Sequence, residues 1–161
     1  VKPFLLLARF AVVLCAVAPL LGMAKKKPEV TIRFHLERTT RDGDVFTSPI
    51  VVGNPPRTIY IGKMPEISER DVKAIWPVAA PDGSSGCALK LDPQGRLRLS
   101  SVSTEFRGAL LVAFVNGRKV GELLVDKPVQ DGVITIPGGI TPAEMELFRK
   151  KWPLVGAKAK P

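Results

Sequence analysis

Residues able to carry chemistry are scarce in this 161-residue sequence: one histidine, two cysteines and an aromatic content of 6%. Cys15 falls in the apolar N-terminal stretch, which leaves Cys87 alone and excludes an internal disulfide in the rest of the chain. One His and one Cys without close spacing cannot supply a zinc cluster. Asp42-Gly43-Asp44 lacks the later ligands and terminal Glu of a calcium loop, and reads as a turn. A nucleophilic site would have to be built on His35, mid-strand on a polar face, and no nucleophile elbow accompanies it. Cys87 alternates with Leu89 and Leu91 and reads as a small buried hydrophobe. Gly138-Gly139 lacks the Gly-Lys-Ser/Thr ending of a phosphate loop and reads as a strand-to-helix turn. No catalytic, cofactor-binding or metal-ligating residue is therefore assigned, and the reading is non-enzymatic.

A second long apolar run is also missing, so the sequence encodes no transmembrane bundle. The first 24 residues do carry one short run. Lys2 and Arg9 precede the apolar segment at 10–21, and Gly22-Met23-Ala24 places small residues at cleavage offsets, the order of a secretory signal. The run is shorter than the ~20 residues of a spanning helix. Lys25, Lys26 and Lys27 follow the cut directly, a cluster that resists translocation, so an uncleaved membrane anchor is the alternative. The organisation expected is a signal peptide at 1–24, a flexible N-terminus at 25–29, a single domain at 30–153 and a flexible tail at 154–161. The location expected is periplasmic.

The formal net charge is +9. Lys and Arg are scattered rather than striped and few aromatics are available for base stacking, so this balance reads as a solubility feature. Nucleic-acid binding would also require retention in the cytoplasm.

Along the domain the elements are short. Val30, Ile32, Phe34 and Leu36 alternate with polar residues as a strand with one apolar face. Val45–Val52 is a partner strand that Pro49 places at an edge, and Thr58–Ile61 is another. Ser68-Glu69-Arg70-Asp71 has a capping-box pattern ahead of Val72, Ile75 and Trp76 at helical spacing, which predicts a helix over 68–76 stopped by Pro77. Residues 94–106 read two ways: Arg96–Leu99 alternates as half of a hairpin, while Leu99, Val102 and Phe106 share a helix face. Ala109–Val115 and Lys119–Val125 flank Asn116-Gly117, the strongest short hairpin signal. Val133–Ile136 is a last strand. Thr141-Pro142-Ala143-Glu144 then opens a helix over 141–152, with Met145, Phe148 and Trp152 on its inner face. The fold class expected is α+β, a mixed or mainly antiparallel sheet with about three helices on one face.

The stretch 61–152 resembles the head of the first periplasmic domain of SecD, a subunit of the bacterial SecDF translocation complex. The matching residues are Ile67-Ser68, Asp71, Leu91-Asp92, Gly95, Gly108 and Asn116-Gly117-Arg118-Lys119-Val120. They continue with Asp131-Gly132 and the run from Ile136 to Glu144. The resemblance implies a helix rather than a hairpin at 94–106. It also implies an exported domain with a preprotein-holding role. The function expected is an exported module that binds unfolded or extended polypeptide or a cell-envelope protein, and the strand edge near Val45–Val52 is the contact the residues themselves suggest. Gly121-Glu122-Leu123 departs from the Ser-Ala-Pro turn common in that family, and the membrane bundle of SecD has no counterpart here. The alternatives are a structural or interaction protein without a translocation role, or a basic nucleic-acid-binding domain held in the cytoplasm. Membrane contact is expected only through an uncleaved N-terminal segment.

Fractionation followed by mass spectrometry of the N-terminus tests the export reading. A periplasmic chain beginning at Lys25 is expected; an intact N-terminus in the membrane fraction refutes cleavage.

Overall fold

The computed structural model describes residues 30–39, 43, 45–80 and 82–156. The proposed signal, Lys25–Lys27, Asp42, Asp44 and the last five residues lie outside them.

Strict alternation sets the first strand, β1 (Ile32–Arg38). Ile32, Phe34 and Leu36 are fully buried on one face, and Arg33, His35 and Glu37 point the other way. β1 pairs antiparallel with β7 (Leu110–Val115) on one side. On the other it meets β4 (Ile67–Ser68) and, at Glu37 and Arg38, β3 (Arg57–Gly62). β3 continues to β2 (Thr47–Val52), and β7 to β8 (Arg118–Leu124), giving the order β2-β3-β1-β7-β8 with β4 beside β1. A second antiparallel sheet has the order β5-β6-β9, from β5 (Val72–Ala79), β6 (Ser85–Leu91) and β9 (Val133–Ile140). Among the described residues the helices are α1 (Pro93–Glu105) and α2 (Pro142–Lys151). The fold is thus α+β with antiparallel sheets, and the described residues form two helices where about three were expected.

Phe34, Leu89, Leu99, Ile136, Ile140 and Phe148 join one main core. A second, smaller cluster lies on the opposite face of the first sheet. There Val52, Ile59 and Ile61 of the β2–β3 ribbon cover Val112, with Leu110 and Phe114 beside them. β7 therefore has both faces covered, which accounts for its unbroken apolar run.

The helix expected at 68–76 does not form: its residues make β4, a turn, and the first part of β5. The capping-box signal is real but closes only one turn. Asp71 Oδ2 accepts from the Ser68 N–H at 2.8 Å, and the Asp71 N–H reaches Ser68 O at 3.1 Å. Beyond Asp71 the chain is extended and pairs with β6. A register shift between Val72 and Ala74 adds one residue to the strand, so Val72 and Ile75 both face the core. The bulge turns a two-residue period into a three-residue one, and that imitated a helix. Pro77 sits within this strand opposite Cys87, tolerated because β5 has only β6 as a full partner. Trp76 is half-buried on that strand, while Trp152 is buried at the end of α2.

Residues 93–105 are helical, so the hairpin alternative is discarded. Asp92 caps the helix by accepting from the Gly95 N–H at 2.7 Å, and Pro93 occupies its first turn. Gly95 is pressed onto its neighbours: a Cβ there would stand 2.8 Å from Asp71 Cβ and 3.2 Å from Leu91 Cβ. The Asn116-Gly117 hairpin forms as expected, with φ of 50° and 79° at the two turn residues, the left-handed pair of a type I′ turn. The capping box of α2 forms in full between Thr141 and Glu144, and Glu144 also pairs with Arg118 at 2.7 Å. Gly138 and Gly139 are not a strand-to-helix turn. β9 runs through them to Ile140, and Arg118 donates to Gly139 O at 2.9 Å.

Asp71 ties these parts together. It is 3% exposed, accepts from Ser68 and from Arg98 of α1 at 2.6 Å, and offers its carbonyl to the Asp92 N–H at 2.8 Å. Asp71→Ala should cost about 1–3 kcal/mol, because it leaves the part-buried Ser68 N–H without its acceptor, while the half-exposed Arg98 guanidinium turns to water. Urea denaturation checks this, and a loss below about 0.5 kcal/mol, the surface-substitution range, would show that the carboxylate is dispensable.

Candidate functional site

β2 is an edge strand, as Pro49 indicated. Its hydrogen-bonding row is nevertheless not free along its length. The Lys63 N–H donates to Phe46 O at 2.8 Å, so by alternation Ser48, Ile50 and Val52 turn their backbone groups toward β3, and Thr47, Pro49 and Val51 turn theirs outward. Pro49 has no N–H to offer. Val51 O already accepts from Lys119 Nζ at 2.8 Å, and the Gly53 N–H donates to both carboxylate oxygens of Glu122 at 3.0 and 3.2 Å. Lys119 and Glu122 pair with each other at 2.8 Å. The Lys119 ammonium first of all, against the opposing effect of burial, holds the Glu122 carboxyl below its usual range, with the Gly53 N–H assisting.

The open end of the edge is apolar. Val45, Phe46 and Met64 are 74%, 70% and 83% exposed where the chain enters β2 and leaves β3. They border an open groove of about 470 Å³ whose other walls include Thr47, Gly62 and the Arg38–Glu66 ion pair, 2.6 Å across. Arg38 is fixed from behind, its guanidinium 4.9 Å from the centre of the Phe106 ring. Three large apolar side chains gathered at loop positions beside an ion pair form an exposed apolar patch. Of the three exposed side chains at this groove, Val45 and Phe46 lie in the segment Val45–Val52 singled out from the sequence, and Met64 lies outside it. The signal that could have found it is its isolation: a lone large apolar residue between Gly62-Lys63 and Pro65, outside any periodic stretch.

His35 and Cys87 stand apart. His35 lies on the outer face of β1, half-buried under the ribbon, with Nδ1 2.7 Å from Gly62 O and its ring edge-on to Phe114 at 5.4 Å. Cys87 is fully buried in the main core on the other side of that sheet, so the two side chains do not share a site. Burial pushes the Cys87 thiol up to about 12. Among the described residues no three His, Cys, Asp or Glu gather as metal ligands, and no helix is long and apolar enough to cross a membrane.

No protein-family model matches the sequence, nor does any curated protein. Solved structures do. One, of SecDF, described as a membrane component that enhances protein export, matches with a TM-score of 0.53 at 14% identity. The match covers 78% of this chain and 64% of that one. A crystal structure of SecDF in a super-membrane-facing form matches with the same TM-score and identity, over 78% of this chain and 19% of that one. This chain therefore has a SecD-like periplasmic head fold, and it spans less than two thirds of the length of either match.

A buried thiol held in its protonated form is a poor nucleophile. Native protein should leave Cys87 unmodified by a thiol reagent at neutral pH, with full modification only on unfolding; rapid native labelling would contradict this burial.

Proposed function

We propose that this chain is an exported, non-enzymatic domain that binds extended polypeptide or a cell-envelope protein, with the groove at Val45, Phe46 and Met64 as its contact surface. The observation that carries the reading is this groove: large apolar side chains left in water at the one end of the β2 edge that Lys119 and Glu122 do not occupy. The SecD-like head fold supports it, since SecDF is described as enhancing protein export. The signal-like segment at 1–24 agrees with a place of work in the periplasm.

The contact expected is through side chains more than through an added strand. β2 offers outward N–H groups only at Thr47 and Val51, with Pro49 between them, so strand addition would find too few donors in register. Apolar side chains of a partner, inserted beside the ion pair of Arg38 and Glu66, would recover the burial that Phe46 and Met64 lack. A link to protein export follows from the same reading.

Binding of the full chain to a permanently unfolded polypeptide tests this. The wild-type chain should bind, and Phe46→Asp with Met64→Asp should weaken binding about tenfold or more while the melting temperature stays within about 2 °C, since both side chains are already exposed. A wild-type chain that binds neither unfolded polypeptide nor cell-envelope extract would sink the proposal.

A further inference from the structure

The β2–β3 ribbon packs on the outer face of the first sheet, and its attachment there is slight. Its backbone pairs with β1 only at Glu37↔Ile61 and Arg38↔Tyr60, and one side-chain contact, His35 Nδ1 to Gly62 O at 2.7 Å, adds to them. Among the described residues, its underside is held by a cluster of four buried side chains, Val52, Ile59, Ile61 and Val112, against twenty-two in the main core. The two clusters share no residue, so lifting the ribbon leaves the main core intact. The ribbon's own ladder, six register pairs from Thr47↔Gly62 to Val52↔Arg57, moves with it. Elements with few buried apolar contacts and a self-contained ladder open as separate units.

What closes the ribbon at its far end is a side-chain strap from β8. Lys119 Nζ donates to Val51 O, and Glu122 accepts from the Gly53 N–H, from opposite sides of the Lys119–Glu122 pair. These are charge-assisted bonds to backbone groups, stronger than neutral ones. Beneath the ribbon lies a row that would be apolar surface if uncovered: Leu110, Val112 and Phe114 of β7.

We infer that the β2–β3 ribbon is a flap that opens on its own, with the Lys119–Glu122 pair as its catch and the Leu110–Val112–Phe114 row as the surface it hides. The groove at Val45, Phe46 and Met64 lies at the opposite end of the ribbon from the catch and is exposed with the flap closed. Glu122 is the titratable half of the catch. The charged and titratable groups facing it or the space beneath are Lys119 on β8, Arg57 on β3, and His35 and Glu37 on β1, the last accepting from the Leu110 N–H at 2.9 Å. A carboxyl held below its usual range keeps the catch closed at neutral pH, and the stabilisation is lost only as acid protonates it.

Thiol labelling of the full chain tests the flap. In a Cys15→Ser background, Val112→Cys places a thiol under the ribbon and Cys87 reports the main core. The introduced thiol should react about tenfold or more faster than Cys87. Lys119→Met with Glu122→Gln should raise its rate about tenfold further, the effect of losing roughly 1.4 kcal/mol of charge-assisted bonding, with Cys87 unchanged. Equal rates for the two thiols would show that the ribbon opens only with global unfolding and would overturn the inference. A fast thiol under the ribbon that is indifferent to the strap variants would overturn the catch. Should Val112→Cys fail to fold, Ile59→Cys on the ribbon's underside gives the same readout.

Discussion

Burial of β7 on both faces is the constraint from which the rest of the arrangement follows. A strand with one wet face can alternate, but Leu110–Val115 presents apolar side chains on each side, and both sides must be covered. One side is covered by the main core beneath β1, the second sheet and the helices. The other requires an additional element, and the β2–β3 ribbon supplies it by leaving β1 at Glu37 and Arg38. The position of His35, the strap from β8 and the limited freedom of the β2 edge are all consequences of that covering.

Asp71 performs the matching task at the junction of the two sheets. One buried carboxylate ends β4, receives Arg98 and sits against Gly95, so the turn, the helix start and β5 are set by the same few atoms. Buried charge is tolerable only with its hydrogen bonds made, and here the Ser68 N–H and the Arg98 guanidinium make them. This explains why a motif resembling a helix cap stands at the head of a strand: the acid is needed for the junction, whatever follows it.

The proposed contact surface is legible in part. Pro49 indicated an edge, and the apolar pair Val45 and Phe46 lay inside the segment singled out for partner contact. That the edge is half closed depends on Lys119 and Glu122, which lie 68 and 69 residues along the chain from Val51 and Gly53, and no local pattern links them. Glu122, in the stretch Gly121-Glu122-Leu123, places its carboxylate at the strap.

Local signals acting over a few residues determined much by themselves. The alternation of β1, the Asn116-Gly117 turn, the Thr141–Glu144 cap and the inward face of Met145, Phe148 and Trp152 were all readable, because each is satisfied by neighbours within a turn or two. Tertiary structure decided the remainder. Residues 72–79 became a strand because β6 offered a partner ladder and a bulge absorbed the extra residue, a choice that rests on residues far away in sequence. The second cluster under the ribbon arises for the same reason. Period and capping state what a segment can be, and only the partner it meets selects among those forms.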